Sequence, residues 1–164
     1  MKSKRLNNLG KIDRDKTLNF TWDNKKLSGF EGDSLASALL ANNIGIVGRS
    51  FKYHRPRGIF SSGVEESGAL VTIGSKDRRD PNVRATTQEL FDGLKASGQN
   101  AFPNVNFDLG GINNYIGRFF AAGFYYKTFM GIPPFEWGKG TAIWMLFEKL
   151  IRKAAGMGSA SRLP

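Results

Sequence analysis

The stretch that organises this chain reads Val-Gly-Arg-Ser-Phe-Lys-Tyr-His-Arg-Pro-Arg-Gly-Ile-Phe-Ser-Ser-Gly, from Val47 to Gly63. Its cationic side chains and the only histidine of the chain are Arg49, Lys52, His54, Arg55 and Arg57. Aromatic residues alternate with the cations, and Pro56 and Gly58 exclude a regular helix. We therefore predict a rigid cationic loop whose charged residues either anchor the loop itself or contact an anion or a partner.

Two short strands precede this loop. Residues 17–22 alternate apolar and polar side chains, which is the pattern of a half-buried strand. Asp23 and Asn24 follow as turn residues, and residues 25–30 predict the returning strand. The first element is therefore predicted to be a β-hairpin.

One helix is predicted between the hairpin and the loop, over residues 34–41. Its apolar face recurs at helical spacing and consists of Leu35, Ala38 and Leu39. We expect Asp33 to cap the start of this helix. A short apolar strand over residues 44–47 then leads into the loop.

Further strands are predicted after the loop, over residues 69–73, 83–90 and 94–96, with a charged turn between the first two. The order is a hairpin, a helix, a strand, a long irregular loop and more strands. One helix that crosses a small mixed sheet is the β-grasp arrangement. The sequence therefore predicts an α+β fold, a β-grasp domain over residues 17–99.

The two ends of the chain differ from this domain. Residues 1–16 are polar and basic, and we predict a flexible arm. Residues 100–164 predict a helical, aromatic-rich extension with helices over 111–120 and 141–155, ending in a linker. The aromatic side chains form either a private core for these helices or a docking surface. We favour docking, because so small an appendage has little volume in which to bury them.

Composition excludes several kinds of site. The chain has 164 residues, no cysteine, one histidine and a formal net charge of +10. Without cysteine, disulfides, thiolate zinc sites and cysteine-ligated iron–sulfur clusters are excluded, and one histidine excludes a histidine-rich metal site. The charge favours an anionic partner. No apolar run predicts a signal peptide or a membrane span, so we expect a cytoplasmic location.

Three separated segments resemble the N-terminal part of the alpha subunit of heterotetrameric sarcosine oxidase. The most specific reads Gly-Arg-Ser-Phe-Lys-Tyr-His-Arg-Pro-Arg-Gly-Ile, from Gly48 to Ile59. Residues 33–42 precede it and residues 122–130 follow it in the same order and spacing. The resemblance covers the chain from about Leu18 to Gly156.

This resemblance implies a fold related to the plant-type ferredoxins for residues up to about Gln99. Cluster-binding relatives of that domain carry cysteines at the spacing C-x4-C-x2-C after an Arg-Gly turn. The same spacing laid on this chain gives Ser61, Glu66 and Ala69, none of which supplies a thiolate. The resemblance thus implies a vestigial cluster loop that has lost its ligands, and we expect no metal here.

The resemblance also implies a function. The family carries out oxidative demethylation of sarcosine to glycine in a complex that holds FAD, FMN, NAD and tetrahydrofolate. We expect none of these cofactors to be bound by this chain alone, because it has no G-x-G-x-x-G motif, and no catalytic residue carries over. The implied role is a non-catalytic docking module for other domains or subunits, either a truncated alpha subunit or a separately encoded piece.

Two other functions stay open from the residues alone. The charge, with Phe51 and Tyr53 among the cations, is also typical of a free-standing nucleic-acid-binding module, although we regard nucleic acid as the less favoured partner. A ferredoxin-like adaptor without a redox group is the third. We expect His54 to have a structural hydrogen-bonding role, and we expect Glu65 and Glu66 to be solvated or paired with arginine.

Overall fold

The computed structural model describes residues 5–6, 8–117, 148–149 and 151–153. The strands and helices in chain order are β1 (Asp13–Trp22), β2 (Lys25–Glu31), α1 (Leu35–Ala41), β3 (Gly48–Arg49), β4 (Pro56–Arg57), β5 (Leu70–Ile73), a 3-10 turn (Lys76–Arg78), β6 (Asp80–Arg84), β7 (Lys95–Gly98), a second 3-10 turn (Leu109–Ile112) and α2 (Asn113–Ile116). In the described ranges, no helix has the length and apolar character needed to cross a membrane.

Five strands form one mixed sheet in the order β2-β1-β7-β5-β6. β1 runs parallel to β7, and the other neighbouring pairs are antiparallel. Side chains from α1 and from the sheet share one buried cluster. A mixed sheet with one principal helix fits the predicted β-grasp. The strands β3 and β4 form a separate two-stranded ribbon.

The hairpin follows the predicted alternation. Phe20 and Trp22 are buried, while the residues between and before them are more exposed. Asp23 and Asn24 have φ values of 44° and 67°, the left-handed conformation that a tight two-residue hairpin turn needs. β1 begins at Asp13, so the strand includes the last residues of the segment predicted as an arm.

Helix α1 has the predicted apolar face, but its cap differs. Leu35, Ala38 and Leu39 are fully buried. The cap is Ser34, whose hydroxyl accepts a hydrogen bond from the Ser37 amide at 3.2 Å. The prediction that Asp33 caps the helix is wrong. Its carboxylate instead accepts hydrogen bonds from the Arg5 guanidinium, the Phe30 amide and the Ser37 hydroxyl.

Two predicted strands are corrected. Strand β6 ends at Arg84 rather than extending to residue 90, because the following carbonyls turn toward the start of α1. The Leu35 amide donates to the Gln88 carbonyl at 2.8 Å, and the Ala36 amide donates to the Ala85 carbonyl at 2.9 Å. The strand predicted over residues 44–47 is wrong, because the structure gives these residues no strand pairing. Pairing begins at Gly48, where β3 meets β4 inside the predicted loop.

The predicted extension is described only in part. Val105 is fully buried, so packing continues beyond the boundary predicted at residue 99. The helix predicted over residues 111–120 is found as a 3-10 turn followed by the short α2. Residues 148–149 and 151–153 are helical, and Arg152 ion-pairs with Glu148 as expected for that spacing. Residues 118–147 of the predicted aromatic-rich extension lie outside the described residues.

Candidate functional site

The first half of the cationic loop is a tight ribbon. The Val47 amide donates to the Arg57 carbonyl, and the Ser50 amide donates to the Arg55 carbonyl, both at 2.9 Å. The ribbon reverses at His54, whose φ of 53° is left-handed and whose amide bonds to the Ser50 carbonyl. Backbone pairing therefore gives the loop a defined shape.

Arg49 ties this ribbon to the chain that follows β7. Its Nε and Nη2 both donate to the Val105 carbonyl, at 3.0 and 2.8 Å, and its Nη1 donates to the His54 carbonyl at 3.0 Å. The side chain is only 14% exposed. These contacts are those of a loop anchor, since the guanidinium donors point at protein carbonyls.

His54 is held by Asp108, a residue that the sequence did not single out. Nδ1 of His54 donates to Oδ2 of Asp108 at 2.8 Å. The other carboxylate oxygen accepts from the Phe102 and Gly110 amides at 2.9 and 3.1 Å. Burial would raise the pKa of Asp108, but the amide of Phe102, the His54 ring and the Gly110 amide together hold it below its usual range.

The ring of His54 lies directly against the backbone at Gly110. A Cβ at that position would collide with the imidazole atoms, so the close approach requires glycine. The described residues give the ring one hydrogen-bond partner, the Asp108 carboxylate. The pair therefore holds two loops together.

The remaining cations of the ribbon have other surroundings. Nζ of Lys52 and Cζ of Arg55 each lie 4.8 Å from the centre of the Tyr53 ring. Arg55 also reaches Asn114 in α2 at 3.4 Å. Arg57 is exposed in β4. The structure thus brings Arg49 and His54 together with Asp108, and it places Lys52 and Arg55 on one aromatic ring.

The second half of the loop closes around a buried carboxylate. Glu66 is 1% exposed. Its Oε2 accepts from the Phe60 and Ser61 amides at 2.6 and 2.7 Å. Its Oε1 accepts from the Gly68 and Ala69 amides at 2.5 and 3.1 Å. The expectation that Glu66 is solvated or paired with arginine is therefore wrong for its carboxylate.

These hydrogen bonds outweigh the effect of burial on Glu66. Burial would raise its pKa, but the amides of Ser61, Gly68, Phe60 and Ala69 lower it to about 2. The group is therefore an anion at neutral pH. Backbone amides were not visible as ligands in the sequence, because every residue except proline has one.

The three positions obtained from the cysteine spacing surround this carboxylate. The Ser61 and Ala69 amides both donate to Glu66, and Ala69 is fully buried. The Ser61 hydroxyl is buried without a hydrogen-bond partner. Within the part of the chain that the structure describes, no group of three or more His, Cys, Asp or Glu side chains could hold a metal ion.

Comparisons with known proteins identify the family and several relatives of this chain. Residues 15–101 match the family described as the 2Fe-2S iron–sulfur cluster binding domain. The chain is 53% identical over 98% of its length to the sarcosine oxidase subunit alpha of Rhizobium meliloti strain 1021. It is 48% identical over 53% of its length to the corresponding subunit of Corynebacterium sp. strain U-96. The predicted resemblance to this alpha subunit is therefore confirmed.

The matches cover a small part of each relative. The chain spans 16% of the Rhizobium meliloti subunit and 9% of the Corynebacterium subunit. Among solved structures, L-proline dehydrogenase from P. horikoshii is similar over 53% of this chain and 16% of that chain, with 29% identity and a TM-score of 0.44.

Proposed function

The chain belongs to the family of the 2Fe-2S iron–sulfur cluster binding domain, and on that premise we propose that it is a non-catalytic docking module of a sarcosine oxidase-like flavoenzyme complex. Relatives named as alpha subunits of sarcosine oxidase support this assignment. The reaction of the complex would be oxidative demethylation of sarcosine to glycine. Its cofactors, FAD, FMN, NAD and tetrahydrofolate, would be bound by other domains or subunits, in the cytoplasm.

The observation that carries the docking role is a row of exposed apolar side chains at the end of the described domain. We call it the 102–116 face, and it consists of Phe102, Phe107, Leu109, Ile112, Tyr115 and Ile116. Each is between 42% and 81% exposed. Exposed apolar side chains in such density mark surfaces that another protein covers. The partner would therefore be another domain or subunit of the oxidase.

The 102–116 face is held rigidly, which suits docking. Asp108 lies within it, and its carboxylate bonds to the Phe102 and Gly110 amides and to the His54 ring. Arg49 holds the carbonyl of Val105 in the same segment. A pre-ordered surface loses less conformational entropy on binding than a mobile one. Two residues of the cationic ribbon, Arg49 and His54, thus hold the segment that carries the face.

Binding of nucleic acid is the rival function, and the net charge of +10 is its argument. The ribbon offers little free stacking surface, because Lys52 and Arg55 both lie over the Tyr53 ring. The Arg49 donors are directed at protein carbonyls. These contacts favour a structural role for the ribbon over base stacking.

The test is reconstitution. The Rhizobium meliloti alpha subunit would be expressed with its partner subunits but without the segment that matches this chain, and the purified chain would be added. We expect the two to co-elute in size-exclusion chromatography. Replacing Phe107, Leu109 and Tyr115 by serine should weaken the association by at least about tenfold, since apolar anchors dominate such interfaces.

Phe91→Ser with Val64→Ser is the matched control, because both residues are exposed and apolar but lie outside the 102–116 face. This control should bind as the unaltered chain does. Equal weakening by both sets of substitutions would contradict the face. Absence of co-elution, together with tight salt-sensitive binding of single-stranded DNA, would replace the proposal by its rival.

That the chain is a piece of a longer alpha subunit stays a prediction. Sequencing the gene downstream of Pro164 tests it, and an in-frame dinucleotide-binding motif is the expected result.

A further inference from the structure

The loop over residues 60–69 does not fit the cluster that its family description names. Iron–sulfur clusters are held by cysteine thiolates, and this sequence has none. Of the three positions given by the cysteine spacing, Ala69 has no side-chain donor at all. The middle position, Glu66, turns its carboxylate inward onto the backbone of the same loop. A different agent must therefore shape this loop.

We propose that the Glu66 carboxylate is a built-in anion that organises residues 60–69 in place of an iron–sulfur cluster. The loop points four amide groups at one centre, those of Phe60, Ser61, Gly68 and Ala69. Converging amides form an anion-binding concavity. Cluster sulfurs accept hydrogen bonds of the same kind, so the backbone keeps its acceptor although the metal is absent.

The geometry of the four bonds supports a specific role. Each carboxylate oxygen accepts from the amides of two successive residues. Oε2 accepts from the pair at the start of the loop, and Oε1 accepts from the pair at its end. Glu66 thereby clamps the start of the loop to its end. At Gly68 the backbone passes so close to the Gly58 carbonyl that a Cβ would lie 2.8 Å from it. The clamp therefore also packs the loop onto the end of the cationic ribbon.

Among the residues that the structure describes, the donors to this carboxylate are all backbone amides, and none is a cationic side chain. Nε of Arg84 is directed at the backbone carbonyl of Glu66, at 3.2 Å. The charge is therefore balanced by oriented backbone dipoles, which act as fixed partial charges. A small carboxylate from solution has the same chemistry, so a chain that lacks the Glu66 side chain should accept one in its place.

Chemical rescue tests the proposal in the full-length chain. In Glu66→Ala, amide hydrogen exchange at Phe60, Ser61, Gly68 and Ala69 should accelerate by roughly tenfold or more, because buried donors lose their acceptor. Sodium acetate should then slow exchange and raise the melting temperature in a saturable manner. Glu65→Ala is the matched control, because Glu65 is the adjacent, exposed carboxylate and its loss changes the net charge equally.

Two results would overturn the proposal. One is exchange at the four amides that is no faster in Glu66→Ala than in Glu65→Ala. The other is an acetate effect of the same size in both variants, which would be a general salt effect.

If Glu66→Ala does not fold, a pH titration of the unaltered chain tests the proposal instead. Its Glu66 carboxyl carbon, followed by NMR, should stay ionised until the pH approaches 2. A midpoint near the ordinary glutamate pKa of 4.5 would show that the amides do not hold the anion, and the proposal would fail.

Discussion

The Asp33 carboxylate and the Glu66 carboxylate are both buried, yet the chain compensates their charges in different ways. Asp33 receives a bidentate pair from the Arg5 guanidinium at 2.9 and 2.7 Å, together with the Ser37 hydroxyl and the Phe30 amide. Glu66 is held by four backbone amides of its own loop. One site depends on a cation that is distant in sequence, whereas the other depends on local backbone conformation.

The difference determines which substitutions can destabilise each site. The contact between Arg5 and Asp33 can be removed by substituting either residue, because both partners contribute side chains. The Glu66 loop has one replaceable side chain at its centre, since amides cannot be removed except by proline. Burial would raise the pKa of Asp33 as well, and Arg5, Ser37 and Phe30 hold it below its ordinary value. Both carboxylates are therefore ionised at neutral pH for different reasons.

The largest effect is expected from Glu66→Gln. The amide side chain offers one acceptor oxygen, so at least two of the four backbone donors lose their partner. At about 1–3 kcal/mol for each buried unsatisfied donor, the free energy of unfolding should fall by about 2–6 kcal/mol. Urea denaturation measures this loss. Asp33→Asn should cost less, because Arg5 is partly exposed and can be hydrated. A larger loss in Asp33→Asn would reverse the comparison.

Acid should remove most of the same contribution. The pKa of Glu66 is lowered from 4.5 to about 2 on folding, so the carboxylate stabilises the fold above pH 4.5 and this stabilisation disappears as the pH falls toward 2. The stability difference between the unaltered chain and Glu66→Gln should therefore shrink across that interval. Denaturation curves at several pH values measure it, with Glu65→Gln as the reference. A difference that stays constant down to pH 2 would contradict the role of the charge.

Arg5→Ala should have an intermediate effect, about 1–3 kcal/mol, because it leaves Asp33 buried with only two kinds of donor. Combining it with Asp33→Asn should cost less than the sum of the two single losses. The coupling energy should lie at about 0.5–3 kcal/mol in a double-mutant cycle. Strict additivity would mean that the bidentate contact contributes nothing.

The smallest effect is expected from replacing Arg55 and Arg57 together by alanine. Both side chains are exposed, and Arg55 contacts the Tyr53 ring and Asn114. Exposed cation–π and polar contacts of this kind contribute about 1 kcal/mol or less. Thermal unfolding measures the change. A loss as large as that of Glu66→Gln would return the organising role in the loop to the arginines.

Much of the fold follows from the sequence, because its signals are local. Alternation in residues 17–22 and the apolar face of α1 each reflect one side of an element that packs on the core. The exceptions are cases in which a distant element decides. Residues 85–88 have apolar and polar residues that suggest a strand, but their carbonyls satisfy the free amides at the start of α1.

The candidate site was less predictable, because its contacts join positions far apart in the sequence. Asp108 lies 54 residues from His54, and Arg5 lies 28 residues from Asp33. An aspartate two residues before a pair of glycines was a signal of a turn cap at Asp108, although not of its partner. The amides around Glu66 leave no pattern of side chains. The cysteine spacing that selected Ser61, Glu66 and Ala69 located the loop that holds the buried carboxylate. The hydrogen bonds from backbone amides to Glu66 became visible only in the structure.

The parallel pairing of β1 with β7 has a consequence for the order of folding. Thr21 lies beside Lys95, so these central strands meet only after more than seventy residues of intervening chain. The hairpin of β1 and β2 is local and can form within microseconds, whereas closure of so long a loop is slow and comes late. During synthesis, the β1 edge of the hairpin therefore stays unpaired until β7 has left the ribosome. In that interval the unpaired amides and carbonyls along β1 can pair with a strand of another chain, which is a route to aggregation.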